Sequence, residues 1–112
     1  MSISTHVLDT SRGRPGQGID IELLRQTPDG WRRVGGGKTN EDGRVPGLLP
    51  EGQELEAGVH RMTFATGAYF EALGVQGFYP LVEITFEIVK PLEHYHVPLL
   101  LNPFGYSTYR GS

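Results

Sequence analysis

The side chains best suited to acid–base chemistry in this chain are its four histidines, His6, His60, His94 and His96. A neutral imidazole titrates near physiological pH, so a histidine can activate a water molecule or protonate a leaving group. A single histidine in a strand is more often structural than catalytic, and we predict a structural role for His60, which lies in ordinary strand alternation. His94 and His96 are separated by one residue and would share one face of a strand, so spacing alone leaves either of them as the active member.

An arginine and the C-terminal tail supply further polar groups. Arg44 follows the turn signal Asp42-Gly43, so we expect it on the shoulder of a turn with its side chain able to project. Its guanidinium stays cationic and can stabilise negative charge on an oxygen. The last four residues, Tyr109-Arg110-Gly111-Ser112, add a phenol, a second guanidinium, a hydroxyl and the terminal carboxylate. A frayed end could not hold these groups in place, so we expect the tail to be fastened as strand, turn and strand.

The composition limits the protein to a few classes. Its 112 residues are enough for one domain, over residues 1–112, with a sizeable core. The sequence has no cysteine, which excludes disulfides, thiolate metal sites and a cysteine nucleophile. A formal charge of −3 without a run of lysine or arginine argues against nucleic acid or an anionic membrane as a partner. No apolar stretch approaches the roughly 20 residues that span a bilayer, and residues 1–10 show no leader pattern. We therefore expect a cytoplasmic protein, or a periplasmic one if a leader has been removed.

Apolar and polar residues alternate in short segments separated by Gly and Pro turns, a pattern typical of β-proteins. The predicted strands cover residues 3–9, 19–26, 31–35, 58–64, 81–89, 94–101 and 106–112. The run Gly35-Gly36-Gly37 is expected to end the third strand. One helix is predicted over residues 66–73, with Thr66 as its N-cap, Tyr69 and Leu73 on one face and Gly74 at its C-terminus.

The predicted strand over residues 94–101 has two further properties. Pro98 cannot donate to a ladder, so we expect this strand at a sheet edge or with a bulge at Pro98. Both of its faces carry apolar residues, so both need cover, and in a small sandwich the second cover is often another subunit. Seven or eight short strands, one short helix and no βαβ rhythm predict an all-β fold, an antiparallel β-sandwich.

Three segments together resemble the signatures of one family. Residues 4–15 (STHVLDTSRGRP), residues 39–44 (TNEDGR) and the last nineteen residues, which end in YRGS, resemble the 5-hydroxyisourate hydrolases, the enzymatic branch of the transthyretin-like family. The likeness covers essentially the whole chain in the right order. One departure is Asn102, in a predicted turn, where the family pattern leads us to expect Ser.

The resemblance implies a transthyretin-like (prealbumin-like) sandwich, assembled as a homotetramer whose active sites lie in the channel between paired dimers. It also implies hydrolysis of 5-hydroxyisourate to 2-oxo-4-hydroxy-4-carboxy-5-ureidoimidazoline in urate degradation, with no cofactor or metal. The family's catalytic positions fall on His6, Arg44 and His96. Its substrate-binding tail falls on Tyr109, Arg110, Gly111 and Ser112. His94 is then expected to be structural or to support its neighbours.

Such a reaction explains why these residue types would converge. Opening a cyclic amide needs a base for water, a donor near the carbonyl oxygen and an acid for the departing nitrogen. Histidines suit the base and acid roles, although the sequence leaves open which is the base, and Arg44 matches a flat, oxygen-rich ring. A non-enzymatic carrier of a small apolar ligand remains an alternative. The polar tail argues against it. A metallohydrolase that uses His6, His94 and His96 is a second alternative, for which the spacing is weak evidence.

Overall fold

The computed structural model describes residues 3–112 and contains eight strands and one short helix in that range. The elements are β1 (Ile3–Asp9), β2 (Arg14–Pro15), β3 (Asp20–Thr27), β4 (Gly30–Lys38), β5 (Gly58–Phe64), α1 (Thr66–Ala72), β6 (Val82–Ile88), β7 (Tyr95–Asn102) and β8 (Gly105–Thr108). The predicted domain also includes Met1 and Ser2, which lie outside the described residues. No helix within residues 3–112 has the length and apolar character that crossing a membrane requires.

The strands form two four-stranded sheets, ordered β2-β1-β7-β8 and β4-β3-β5-β6. This arrangement confirms the predicted β-sandwich. All strand pairs are antiparallel except β1 and β7, which run parallel from Ile3 opposite Tyr95 to Asp9 opposite Leu101. The parallel pair joins the first strand of the chain to the strand that carries His96, so the two ends of the sequence meet in one sheet.

Alternation along each strand decides which side chains enter the core between the sheets. In β1 every second residue is buried, beginning with Ile3, and the residues between them are half-buried. The same alternation in β6 buries Val82, Ile84 and Ile88, as predicted for this strand. The sandwich therefore has a largely apolar interior and keeps the Ser4 and His6 face of β1 away from it.

Strand β4 runs past the glycine run at which it was predicted to end, and continues to Lys38. The glycines allow close packing rather than termination. A Cβ on Gly35 would lie 2.2 Å from the Leu48 carbonyl oxygen, and a Cβ on Gly36 would lie 2.5 Å from the Ile21 carbonyl oxygen. Since Gly36 also donates to the Leu48 carbonyl at 2.8 Å, the segment after the turn at residues 40–43 can lie directly on this strand.

The helix differs from its prediction at the N-terminus. Ala65 occupies the N-cap position without a side-chain cap, and Thr66 is the first helical residue, with its hydroxyl buried in the interior. The predicted role of Thr66 was therefore wrong. Gly74 does end the helix, with φ of +70° and a hydrogen bond from its N–H to the Glu71 carbonyl.

Docking of the helix also differs in part from the prediction. Tyr69 and Phe70 are buried, whereas Leu73 is 39 % exposed. Tyr69 is drawn inward because its hydroxyl donates to Asp9 Oδ2 at 2.6 Å. This bond connects the helix to the end of β1, and the other oxygen of Asp9 accepts from Ser11 and from the Arg12 N–H.

Strand β7 lies between β1 and β8, so the prediction of an edge or a bulge at Pro98 was wrong. The missing N–H interrupts the ladder instead. Pairing with β8 stops at Leu99 opposite Thr108, and the Thr108 hydroxyl donates to the Pro98 carbonyl at 2.7 Å. A bridge between His96 and Gly111 then continues the same register beyond the gap. The tail is thus fastened on both sides of the proline.

Candidate active site

The candidate site lies on the face of the β2-β1-β7-β8 sheet that points away from the core. Parallel register places Ser4 opposite His96 and His6 opposite Pro98. His6 and His96 thus share this face on neighbouring strands, with Cα atoms roughly 8 Å apart by strand geometry. Ser4, His6 and His96 are all half-buried, which gives them partial desolvation while leaving room for a ligand.

Arg44 reaches the same face because its turn is fixed onto β1. The N–H of Val7 donates to the Gly43 carbonyl at 2.8 Å. Gly43 has φ of +75°, and a Cβ there would lie 2.3 Å from the Val7 carbonyl oxygen, so only glycine permits this approach. The residue that follows is therefore held beside the strand that carries His6.

Asn40 closes this turn. Its side-chain oxygen accepts the N–H groups of Asp42 at 2.9 Å and Arg44 at 3.1 Å. Its own N–H donates to the Arg44 carbonyl at 2.8 Å. With the bond from the Gly43 N–H to the Asn40 carbonyl, four hydrogen bonds to one asparagine fix the backbone from which the exposed Arg44 side chain projects.

His96 is the most closely surrounded imidazole of this face. Its Nδ1 lies 2.8 Å from Ser4 Oγ, and the same oxygen lies 3.1 Å from His94 Nε2. Burial lowers the pKa of His96 below its ordinary value of 6.5, and the positive charges of Arg44, His6 and His94 lower it further. His96 is therefore neutral at physiological pH, which is the form that can accept a proton.

Gly111 fastens the tail against His96. Its N–H donates to the His96 carbonyl at 2.8 Å. A Cβ on Gly111 would lie 2.4 Å from His96 Cδ2 and 3.1 Å from Cγ, so the tail backbone runs directly along the edge of the imidazole. Ser112 follows this contact immediately and is exposed.

Two tail residues, Tyr109 and Arg110, line the cavity described below rather than contacting His6 or Arg44. Arg110 Nη2 lies 3.3 Å from Glu93 Oε1, and its guanidinium stacks 4.4 Å above the ring of the inward-facing Tyr95. Tyr109 is 61 % exposed. The structure thus brings His6, Arg44, His96 and Gly111 to one place and holds the Arg110 side chain on Glu93, on the Tyr95 ring and, at 3.4 Å, on the His94 carbonyl oxygen, so substrate binding by Arg110 stays a prediction.

A cavity of about 540 Å³ opens between β6 and the tail. Core-facing side chains such as Ile84, Phe86 and Val97 line it together with Glu93 and Arg110. His6 and Arg44 do not line this cavity. His96 and Tyr109 also line the cavity, so it reaches the histidine face at His96.

The fourth histidine has the predicted structural character. His60 is 1 % exposed, its Nδ1 lies 3.0 Å from the Gly58 carbonyl oxygen, and its ring stacks on Phe86 at 6.0 Å between centroids. Burial lowers the pKa of His60 below 6.5. Within residues 3–112 no group of three or more His, Asp or Glu side chains is placed to hold a metal ion.

Two residues of this site were not assigned a role from the sequence, Ser4 and Asn40. Ser4 precedes His6 by two positions, so the period of a strand could have placed both on one face. Its contact with two histidines some 90 residues away depends on the parallel pairing and left no local signal. Asn40 did leave a local signal in the sequence, because an asparagine two residues before Asp-Gly is typical of a side-chain-capped turn.

The sequence matches the HIUase/Transthyretin family over residues 3–111. This chain belongs to that family. Among relatives of this HIUase/transthyretin protein, the 5-hydroxyisourate hydrolase of Salmonella typhimurium is 44 % identical over 110 residues, which cover 98 % of this chain and 80 % of the relative. 5-Hydroxyisourate hydrolase 2 of Rhizobium meliloti is 46 % identical over 114 residues, covering 98 % and 95 %. The mouse 5-hydroxyisourate hydrolase is 45 % identical over 112 residues, covering 98 % and 94 %.

Solved structures of the family share the fold. Sea bream transthyretin in complex with thyroxine superposes with a TM-score of 0.91 at 32 % identity, covering 99 % of this chain and 95 % of that one. The 5-hydroxyisourate hydrolase of Klebsiella pneumoniae gives a TM-score of 0.84 at 35 % identity, covering 98 % and 92 %. Backbone similarity alone therefore does not separate the carrier and the hydrolase, and the distinction depends on the residues of the site.

Proposed function

We propose that this protein hydrolyses 5-hydroxyisourate, opening a cyclic amide to give 2-oxo-4-hydroxy-4-carboxy-5-ureidoimidazoline in urate degradation. The observation that carries the proposal is the convergence of His6, Arg44 and His96 on one half-buried sheet face. Relatives with 44 to 46 % identity over nearly the whole chain have this activity by name.

The site residues fit the steps of amide hydrolysis. One imidazole takes a proton from water, and the water oxygen attacks the carbonyl carbon. The guanidinium of Arg44 stabilises the negative charge that develops on the carbonyl oxygen. The C–N bond then breaks, and an imidazolium returns a proton to the departing nitrogen. His96 suits the first role because burial lowers its pKa, and because Ser4 contacts its Nδ1, which leaves Nε2 as the nitrogen for the water.

The tail completes the proposed pocket. Tyr109, Gly111 and Ser112 hold the substrate next to His96, with Gly111 contributing backbone contact. Arg110 joins them if its ion pair with Glu93 opens. The side chains of Arg110 and Glu93 are 59 % and 48 % exposed, and ion pairs at such positions contribute little stability, so the ion pair itself adds little to the cost of releasing Arg110.

The proposal extends to the assembly. Leu8 and Leu100 lie half-buried on the same face as the histidines, and apolar side chains in such a position are suited to cover by another subunit. We propose that the active protein is a homotetramer, a dimer of dimers, with the site between subunits and with no metal or other cofactor. Activity that persists after exhaustive chelation and gel filtration would support the metal-free mechanism.

The decisive experiment follows the ultraviolet decay of 5-hydroxyisourate generated by uricase, with and without the protein. We expect strong acceleration by the wild type and a loss of at least about 100-fold in His96→Gln and Arg44→Gln. The matched control is Arg32→Gln, because Arg32 is exposed on β4 in the opposite sheet. Decay at the spontaneous rate with folded wild-type protein would reject the hydrolase.

One observation favours a second candidate function, a carrier of a small apolar ligand. The transthyretin bound to thyroxine has the higher of the two TM-scores. A carrier would bind a hydrophobic ligand stoichiometrically without altering the decay of 5-hydroxyisourate. The two functions are therefore separated by the same assay combined with a binding titration.

A further inference from the structure

Ser4 occupies a central position between two histidines. Its Oγ lies 2.8 Å from His96 Nδ1 and 3.1 Å from His94 Nε2. The register of β1 and β7, with Ser4 opposite His96, holds the hydroxyl in this place. Both distances are those of hydrogen bonds, so Ser4 connects the two rings through one oxygen.

The chemistry of a hydroxyl makes the two contacts dependent on each other. A serine has one proton to donate, so it donates to one imidazole and accepts an N–H from the other. If His96 carries its proton on Nδ1, Ser4 accepts from His96 and donates to His94 Nε2. The Nε2 of His96 is then unprotonated and acts as a base. In the reverse arrangement Nε2 of His96 carries the proton and acts as an acid.

We propose that Ser4 and His94 form a proton relay that supports His96 in the hydrolysis proposed above, with Ser4 setting the tautomer of His96 and His94 receiving its displaced proton. Both are positioning residues, since they act on the substrate through His96. The inference rests on the proposed hydrolase function for its kinetic part, while the tautomer of His96 can be measured without any substrate.

The relay balances as follows. His96 Nε2 gains a proton from the attacking water, and the Nδ1–H of His96 passes to Ser4 Oγ. The original hydroxyl proton of Ser4 passes to His94 Nε2. The net result is a neutral His96, an unchanged serine and a protonated His94. In the reverse movement His94 Nε2 gives a proton to Ser4 and the Ser4 hydroxyl proton passes to His96 Nδ1, so that the proton on His96 Nε2 can leave for the departing nitrogen.

The environment favours this direction of transfer. A cation at His96 is opposed by burial and by the positive charges of Arg44 and His6. His94 is exposed, whereas His96 is half-buried. Moving the proton through Ser4 thus carries the charge from the half-buried ring to the solvent side of the site.

The first test measures the tautomer of His96 in the complete protein, from its ring ¹⁵N chemical shifts in wild type, Ser4→Ala and Ser4→Thr. We expect one dominant tautomer in wild type and Ser4→Thr and a mixture in Ser4→Ala. The matched control is Ser107→Ala, which removes a hydroxyl from the same face of the same sheet, opposite Leu100. Identical His96 shifts in wild type and Ser4→Ala would overturn the inference whatever the enzymatic activity.

The second test measures kinetics in the same variants. Ser4→Ala is expected to lower kcat by about 10- to 100-fold with KM changed less than about threefold, and Ser4→Thr to recover most of kcat. His94→Ala should lower kcat in the wild-type background and have little further effect in Ser4→Ala, because the relay is already broken. Additive losses, or equal losses in the Ala and Thr variants of Ser4, would contradict the relay even with the hydrolase activity established.

Discussion

Two segments bring candidate site residues to the histidine face, and they are fastened in different ways. The turn that carries Arg44 is held by four hydrogen bonds to Asn40 and by the bond from Val7 to the Gly43 carbonyl. The tail is held beyond Pro98 by the backbone bond from Gly111 to the His96 carbonyl and by the Arg110 side chain, whose ion pair with Glu93 is about half exposed. The turn is therefore a rigid positioning element, whereas the tail can adjust to a ligand.

The glycines of the two segments, Gly43 in the turn and Gly111 in the tail, show the same difference in rigidity. Gly43 has a left-handed φ of +75°, and its Cβ would meet the backbone oxygen of Val7, which cannot move without displacing β1. A Cβ on Gly111 would meet the ring of His96, which is a side chain and can rotate at some cost. A side chain at Gly43 should therefore disturb the fold of the turn. A side chain at Gly111 should instead change the orientation of the His96 ring, a catalytic candidate.

The largest effect is expected for Gly43→Ala, compared with Gly47→Ala. Both glycines are left-handed, with φ of +75° and +72°, but only Gly43 has a close neighbour. Gly47→Ala should cost about 1–2 kcal/mol of stability, the price of the left-handed backbone, and leave kcat/KM nearly unchanged. Gly43→Ala should cost clearly more and lower kcat/KM by about 100-fold or more through displacement of Arg44.

Urea unfolding measures the stability of each variant, and the 5-hydroxyisourate assay measures its kcat/KM. Equal losses of stability and activity in the two alanine variants would show that backbone strain alone matters at these positions. The docking of the turn on β1 would then have no special role in placing Arg44.

A smaller effect is expected for Gly111→Ala, compared with Gly105→Ala in the same terminal hairpin. A Cβ on Gly105 would be 3.7 Å from the Asn102 side chain, an ordinary contact, whereas one on Gly111 would be 2.4 Å from His96 Cδ2. Gly111→Ala should lower kcat by about 10- to 100-fold, because the imidazole must turn away from its position. Thermal unfolding should change little in either variant, and wild-type turnover in Gly111→Ala would remove the tail from the site.

The next effect in size concerns Asn40. Asn40→Ala removes the acceptor of two N–H groups, so we expect kcat/KM to fall about 10-fold as Arg44 loses its fixed backbone. Asn40→Asp keeps an acceptor oxygen and should recover most of the activity. Asn102→Ala is the matched control, because Asn102 caps another turn by accepting the Phe104 N–H at 2.9 Å. A loss in Asn102→Ala as large as that in Asn40→Ala would indicate a general effect of loosened turns.

Much of the fold followed from local pattern, because strand alternation and turn residues are local properties. The strand Gly58–Phe64 and the hairpin turn before Gly30 were predicted as they occur. The predictions that failed depended on contacts between distant residues. The glycines of β4 make room for the Leu48 segment, and Pro98 is accommodated in an inner strand because Thr108 supplies a hydroxyl to its carbonyl.

The same distinction between local patterns and contacts of distant residues applies to the candidate site. His6, Arg44 and His96 were assigned through family resemblance, and the parallel pairing of β1 with β7 places the two histidines on one face. That pairing joins strands about 90 residues apart, so no local pattern reveals it. The direction of Arg110 was equally hidden, since it is set by Glu93 and by the ring of Tyr95.

The smallest expected effect is the pH dependence of stability that arises from the buried groups. The folded-state pKa values of His60 and His96 are lowered, mainly by burial. The unfolded chain therefore binds protons more readily, and the free energy of unfolding should decline as pH falls below the ordinary value of 6.5. The slope is at most about 1.4 kcal/mol per pH unit for each histidine.

Asp9 adds a second decrease in the free energy of unfolding, at lower pH than the histidines. Burial alone would raise its pKa, but hydrogen bonds from Ser11, Tyr69 and the Arg12 N–H outweigh burial and lower it below 3.8. The stability contributed by Asp9 is present above pH 3.8 and is lost as pH falls through its folded-state pKa. Urea unfolding from pH 7 to pH 3 should therefore show the histidine step first. In Asp9→Asn the decrease in unfolding free energy near and below pH 3.8 should be smaller, while the decrease that comes from the histidines should remain. An unfolding free energy that stays constant between pH 7 and pH 5 would contradict the assignment of two neutral histidines, the buried His60 in the core and the half-buried His96 on the face that carries Arg44.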